Sequence, residues 1–493
     1  MKYKSLTFFC FLLFSTCIAN AQKTTGDFKK IHSKKGNEIK ILTKNASIII
    51  ELCTPTIVRV RTSWNHEFSE NEPWMVSNYN WDSVEYNLNE TENEIIILTD
   101  ALKLKVNKKP FTIDFFDNEG TLLSSETNKK TNESLGAYIE NKKIGSIKYL
   151  LPEEHFFGFG ERMDFLDRRG KKVELDVGRG IGKPHIIGAY NVLKANYSPI
   201  PFFMSTKGYG IFFHNAYPTT WDMGSSNSNI YSFQAKDGEL DYYFIYGSKF
   251  KNILDGYTSI TGKSPLLPKF ALGLHVGTYS GGTWGHEKNT STDYVVNLVK
   301  KFRELQIPID ILHLDSTWRN FGKNGGKGAT TFEWRDTFKN PEQMFSDLYT
   351  LNLNMVGVHL RPRFDNGKSL RLLDKAREQG FVYPEENNSG EFVNFFNDKA
   401  VDWWWENGVM RVAEQGAMFL KTDEGSAFGR KANESNKLGP QGKGIKALHN
   451  LFPLAYAKAP YEKFQEYNKI RGMNHTREGY AGIQRYPFIF AGD

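Results

Sequence analysis

Residues 264–276 read Ser264-Pro265-Leu266-Leu267-Pro268-Lys269-Phe270-Ala271-Leu272-Gly273-Leu274-His275-Val276, and the chain changes character across them. Pro265 and Pro268 stop the structure that precedes them, because proline fixes φ and lacks an amide donor. Ala271 to Val276 then reads as a short apolar strand, and from there strands and helices alternate. Val295, Leu298, Val299, Phe302 and Leu305 fall on one helical face. Ile309 to Leu314 is the next strand. Asn340-Pro341-Glu342-Gln343 opens a helix with a capping side chain, a first-turn proline and a glutamine that reaches back. Val356 to Leu360, Ala417 to Thr422 and Tyr486 to Ala491 read as further strands, with a weaker one between Arg471 and Arg477. Leu370 to Gln379, Lys399 to Gln415 and Ala447 to Lys469 are helical. Such alternation implies parallel strands joined by crossover helices. About six strands are legible where a closed barrel needs eight. The expected fold over residues 265–493 is therefore an incomplete (β/α)8 (TIM) barrel, truncated after about six strands, with an open doubly wound sheet as the alternative pattern.

The region before Pro265 has a different grammar. Ala46 to Val60 is rich in β-branched residues. Glu94 to Thr99, Ala101 to Val106 and Phe111 to Phe116 follow, and Leu102, Leu104 and Val106 alternate with Lys103 and Lys105 as in a half-buried strand. Phe202 to Ser205 and Tyr209 to His214 flank Thr206-Lys207-Gly208 as a hairpin. Many short strands with turn signals predict an N-terminal antiparallel β-sandwich over residues 22–264. Residues 1–21 form a signal peptide: Lys2 and Lys4 precede an apolar run from Leu6 to Ile18, and Ala19-Asn20-Ala21 offers small residues for cleavage near Ala21. The expected product is multidomain and exported, periplasmic or extracellular.

Composition narrows the function classes. The chain has 493 residues, too many for a single core. Its 63 Lys and Arg against 56 Asp and Glu give a formal charge of +7, a mild surplus without the dense patch a nucleic-acid surface needs. Three cysteines exclude a disulfide framework, and two of them, Cys10 and Cys17, lie in the signal segment. No later stretch is long and apolar enough for a membrane span. His275, His313 and His359 sit on strands, but no spacing matches a metal signature. Neither a metal nor a cofactor is expected. The tryptophans Trp403-Trp404-Trp405 are assigned to packing.

Chemistry is expected at the strand ends, where Asp315, Asp423 and Asp493 stand. Each such Asp is, taken alone, as well explained as a cap or turn former. Together they supply the acid/base and nucleophile that glycoside hydrolysis requires. Lys421, two residues before Asp423, points the same way on a strand and is expected to keep that carboxylate ionised.

Ordered motifs from residue 150 onward add a resemblance. Phe156-Phe157-Gly158-Phe159-Gly160-Glu161-Arg162, Ile200-Pro201-Phe202-Phe203-Met204-Ser205-Thr206-Lys207-Gly208-Tyr209-Gly210 and Asp255-Gly256-Tyr257 to Thr261-Gly262-Lys263 resemble the N-terminal portion of glycoside hydrolase family 31. Leu312-His313-Leu314-Asp315-Ser316-Thr317-Trp318, Phe419-Leu420-Lys421-Thr422-Asp423 and Arg477 with Ala481-Gly482-Ile483-Gln484-Arg485-Tyr486-Pro487 resemble its barrel signatures, nearest in wording to the α-xylosidase branch. The resemblance implies a retaining exo-α-glycosidase acting on xylose, glucose or galactose at non-reducing ends. It implies Asp423 as nucleophile and Asp493 as acid/base, with Asp315, Lys421 and Arg477 binding the sugar. Glu424-Gly425-Ser426 and His359 depart from the family pattern, so Glu424 and His359 are added to the substrate-binding set. The expected partner is a glycoside or oligosaccharide, with no nucleic acid and no membrane span. The alternative is a catalytically weak or inactive carbohydrate-binding homologue.

Overall fold

The computed structural model of the chain describes residues 22–127, 135–178, 195–278, 289–326, 328–383, 390–428 and 445–487. Residues 1–21, expected to be a signal peptide, Asp493 and most of the strand expected from Tyr486 to Ala491 lie outside the described residues.

The N-terminal region is all antiparallel β. Ala46 to Val60, expected as one β-rich run, is two strands, Ser47–Thr54 and Ile57–Ser63, turning at Pro55-Thr56. They join Glu38–Thr43 and Phe28–Lys35 on one side, and Leu240–Tyr246, Tyr209–Phe213, Pro199–Ser205 and Phe156–Gly160 on the other, in an eight-stranded sheet. The expected hairpin is present, closing with Ser205 opposite Tyr209. A six-stranded and a five-stranded sheet complete the layers. In Leu102–Lys108 the leucines and valine are buried while Lys103 and Lys105 are only half so, as the alternation requires.

Leu240–Tyr246 is buried on both faces, and the reason lies in the packing. Tyr242 and Phe244 point into the sandwich core, whereas Tyr243 and Ile245 join a second core shared with the barrel. A strand covered on both sides loses the polar alternation of an edge-facing one. The helix Phe250–Thr261 covers that outer face with Ile253, Tyr257 and Ile260. Gly256 lets it approach closely: a Cβ there would lie 2.5 Å from Ile245 Cγ2. This helix was missed by the strand-and-turn reading up to about residue 260; its apolar residues are too few to mark a 3.6-residue period unambiguously.

Beyond it, five parallel strands lie in consecutive order: His275–Gly277, Ile311–Leu314, Met355–Leu360, Phe419–Thr422 and His475–Thr476. The last is the candidate between Arg471 and Arg477. Helices Thr292–Glu304, Pro341–Thr350 and Phe452–Asn468 pack outside them, the first capped by Ser291 Oγ and the second by Asn340 Oδ1. The expected helix from Lys399 to Gln415 is interrupted by a π-turn at Trp405–Val409. Trp404 and Trp405 are buried in packing. Leu305, assigned to the buried helical face, is exposed past the end of Thr292–Glu304. No helix among the described residues is long and apolar enough to cross a membrane.

Candidate active site

The strand Phe419–Thr422 stops one residue short of Asp423. The Asp423 amide donates to Leu360 O at 3.1 Å, which ties it to the end of the neighbouring strand. Glu424 then adopts φ 61°, so the chain turns away and leaves the Asp423 carboxylate at the C-terminal mouth of the sheet. Arg477 is brought alongside by its own amide, which donates to Thr422 O at 3.2 Å.

Asp423 is 5% exposed and surrounded by donors. Its Oδ2 lies 2.8 Å from His359 Nε2 and 3.5 Å from Arg361 Nη2, and its Oδ1 is ion-paired with Arg477 Nη2. Burial alone presses the carboxyl upward, but Arg361, Arg477 and the His359 bond outweigh it and hold Asp423 well below the usual carboxylate range. His359 is itself defined by its other nitrogen. Arg319 Nη1, a donor in any state, donates to His359 Nδ1 at 3.3 Å. The proton therefore sits on Nε2, and the imidazole is a neutral donor to Asp423. Burial agrees, lowering the His359 pKa to about 4.

Asp315 is the second buried carboxylate. One oxygen accepts from the Ser316 amide at 2.6 Å, capping the short helix Ser316–Trp318, so the cap explanation holds for half of this side chain. The other oxygen accepts from Lys421 Nζ at 3.0 Å and lies 3.4 Å from His313 Nε2. Burial raises its pKa, and His359, the His313 contact and Lys421 more than reverse the effect, so Asp315 too is held well below its ordinary value.

Exposure increases outward from these two acids. The Asp423 and Asp315 side chains are 7% and 6% exposed, against 13% for Lys421, 16% for Arg361 and 21% for Glu424. Arg361 Nη1 is ion-paired with Glu424 Oε1, so one guanidinium bridges the Asp423 and Glu424 carboxylates at the rim. Glu478, buried next to Arg477, accepts from Arg477 Nε at 3.3 Å, the Gly425 amide at 3.2 Å and Ser426 Oγ at 2.9 Å. It fixes both the arginine and the turn after Asp423.

The structure thus brings Asp423, Asp315, Lys421, Arg477, His359 and Glu424 to one end of the sheet. Asp493 lies outside the described residues. One expectation is corrected in detail: the cations foremost on Asp423 are Arg361 and Arg477, while the Lys421 ammonium goes to Asp315. The alternation of a strand applies only up to Thr422, and Asp423 is already in the turn. Sequence reasoning passed over Arg361, Arg319 and Glu478. Arg361 follows the strand Met355–Leu360 directly, so the strand-end rule that found the acids would have found it. Arg319 and Glu478 carry no such mark; only their complete burial betrays them.

Three comparisons bear on this arrangement. Residues 264–493 match the family model of the glycosyl hydrolases family 31 TIM-barrel domain, and residues 47–222 match that of the glycosyl hydrolase 31 N-terminal galactose mutarotase-like domain. The chain is similar to alpha-glucosidase 2 of Bacillus thermoamyloliquefaciens, 30% identical over 436 residues that make up 84% of this chain and 52% of that protein. It is 26% identical over 472 residues to an alpha-xylosidase of Saccharolobus solfataricus, covering 91% of this chain and 58% of the relative. A solved Flavobacterium johnsoniae GH31 dextranase complexed with glucose superposes with a TM-score of 0.81 at 28% identity, over 96% of this chain and 57% of that one. The chain spans about half the length of the curated relatives it matches.

Proposed function

The chain belongs to glycoside hydrolase family 31, and from that premise we propose that it carries the nucleophile and the sugar-binding groups of a retaining exo-α-glycosidase. The observation that supports this reading most is the state of Asp423: a nearly enclosed carboxylate at a barrel strand end, kept ionised by two guanidiniums and a neutral imidazole. A nucleophile at the anomeric carbon must be ionised before substrate arrives. Oδ2 is held by His359, and Oδ1, ion-paired with Arg477 Nη2, is the oxygen assigned to attack. Asp493 is assigned to protonate the leaving oxygen and then to take a proton from the water that releases the sugar. Asp315 accepts from sugar hydroxyls, and Lys421 and Arg477 donate to them.

Substrate class follows from the rim. The Arg361–Glu424 pair stands directly beside Asp423, and His359 has both ring nitrogens engaged. We assign to this replacement a specificity moved away from ordinary α-glucosides. Release rates from a panel of aryl α-glucosides, α-xylosides and α-galactosides test it; a clear preference for the glucoside overturns it. Retention is tested by the first-formed product anomer in NMR: the α-anomer is expected, and the β-anomer overturns the mechanism.

A second reading is a carbohydrate-binding protein without turnover. It is favoured by the very ion pairs that stabilise Asp423, since a carboxylate already satisfied attacks less readily. Asp423→Asn separates the two. An enzyme loses nearly all turnover, whereas a binding protein shows none to lose and keeps its sugar affinity.

Export after cleavage near Ala21 belongs to the same proposal, supported by Lys2, Lys4 and the apolar run that follows them. N-terminal sequencing of the exported protein checks it.

A further inference from the structure

Under the Asp315 carboxylate lies a feature that the hydrolytic reading does not use. His275, His313 and His475 come from the first, second and fifth parallel strands and meet at one point. Their ligand-capable nitrogens all lie within 4.8 Å of one another. His275 Nε2 and His313 Nδ1 are 2.9 Å apart, and the ring centroids are separated by 5.0, 4.4 and 5.4 Å. We propose that these three histidines form a binding site for a divalent, imidazole-preferring metal ion of the zinc type.

Three observations carry the proposal. First, the nitrogens are spaced as ligands: an ion bound at about 2.0–2.1 Å in a tetrahedron holds its nitrogens roughly 3.4 Å apart, within the observed spread. Second, His313 has the orientation of a metal-bound histidine. Its Nδ1 faces His275, while its opposite Nε2 faces Asp315 Oδ2 at 3.4 Å, the carboxylate–histidine pairing that fixes tautomer and ring in metal sites. Third, the space for that ring is made by sequence: a Cβ on Gly277, opposite His313 on the neighbouring strand, would lie 2.3 Å from His313 Cε1. Three imidazole ligands suit zinc, copper or nickel rather than magnesium or calcium, which require oxygen. Lys421, which lies opposite His475 on the neighbouring strand, has its charge offset by the ion pair with Asp315. The sequence conceals the site because its members are 38 and 162 residues apart, with no local spacing to read.

The test needs no substrate. The full chain, stripped with chelator and checked for fold by circular dichroism, is titrated with zinc chloride by calorimetry. One ion per chain with a micromolar or tighter Kd is expected, and cobalt substitution should give the visible absorption of a four-coordinate site. His275→Leu and His475→Leu should each weaken binding at least tenfold. His275→Cys, which keeps a zinc ligand, should retain it, and His32→Ala on the exposed sandwich surface should not alter it. Absence of stoichiometric binding by folded protein, or binding that survives the two leucine substitutions together, overturns the proposal. Either result would leave the three rings a metal-free hydrogen-bonded cluster.

Discussion

Two buried aspartates, one in the sandwich and one in the barrel, are held by the same kinds of side chain and end up with different chemistry. Asp241 accepts from Arg59 Nε at 3.0 Å and Nη2 at 2.7 Å, with His214 Nδ1 at 2.8 Å. Asp423 has Arg361, Arg477 and His359. Both carboxylates are pulled far below their ordinary pKa. The two histidines part company over their second neighbour. His214 Nε2 faces Glu72 Oε1 at 2.8 Å, and although burial lowers its pKa, Asp241 and Glu72 raise it overall, so the ring tends toward imidazolium. His359 faces Arg319 instead and stays neutral. The sandwich cluster is closed on itself. Its Glu72 also accepts from the Trp74 and Met75 amides, fixing a segment whose Ser77 amide donates to Ile260 O of the connecting helix. The barrel cluster lies at the C-terminal ends of the strands, beneath the partly exposed Lys421, Arg361 and Glu424. One arrangement locks a domain contact; the other stands where barrel chemistry is expected. An Asp–His–Arg constellation therefore says little by itself, and the group behind the histidine, with the position in the fold, decides its use.

The widest separation between the two should come from removing each carboxylate. Asp423→Asn is expected to lower kcat on an aryl α-glycoside by about four orders of magnitude or more. Asp241→Asn should leave turnover per folded molecule normal and cost about 3–5 kcal/mol in urea unfolding, because Arg59 and His214 lose a shared buried partner. Turnover lost by the folded Asp241→Asn protein would break the comparison.

Next in size are the histidines. His359→Leu removes one donor to a charged acceptor, worth about 1.5–3 kcal/mol, so kcat should fall roughly tenfold to a hundredfold with little change in KM. His214→Gln should leave kcat alone and lower the unfolding midpoint.

Acid should then distinguish the domains. His359 and His275 have folded pKa values of about 4 and 3, against about 6.5 in an unfolded chain. Below pH 6.5 the unfolded barrel binds protons that the folded one refuses, so barrel stability falls with pH, by about 1.4 kcal/mol per unit for each such histidine. His214 has the opposite sign. Its contribution is complete below about pH 6.5 and fades as pH rises through its raised folded value. Amide exchange, corrected for intrinsic rates, should show protection of Phe419–Thr422 falling from pH 7 to pH 5 while Leu240–Tyr246 holds. Equal loss in both strands would remove the distinction.

What the sequence disclosed follows from the range of the forces involved. The alternation in Leu102–Lys108, the cap at Asn340 and the acids after Leu314 and Thr422 are local, and they were legible because a strand or a helix end imposes its own period. The helix Phe250–Thr261 was obscured by its short, mixed face. The partners of Asp423 were less legible still. Arg319 and Glu478 reach it through neighbours that only the assembled sheet supplies, and the meeting of His275 with His475 depends on the sheet curling until its first and fifth strands approach. Lys421 shows the limit from the other side: the two-residue rule was sound for a strand, but the strand ends before the residue it was applied to.

The smallest effect should come from an ion pair that looks as strong as any of these. Lys263 Nζ lies 2.6 Å from Asp255 Oδ1, shorter than the 2.7 Å from Arg59 to Asp241, and both residues belong to the stretch whose wording resembles the family. Their side chains are 68% and 70% exposed. In high dielectric the attraction is screened, and ordering two long side chains offsets most of what remains. Lys263→Ala is therefore expected to change urea stability by less than about 1 kcal/mol and turnover not at all. Added salt should erase the difference, whereas the Asp241→Asn defect should persist in salt because water and ions do not reach that cluster. A large, salt-resistant loss in Lys263→Ala would mean that proximity rather than enclosure sets the strength of these pairs, and the contrast between the sandwich cluster and the barrel cluster would then need a different cause.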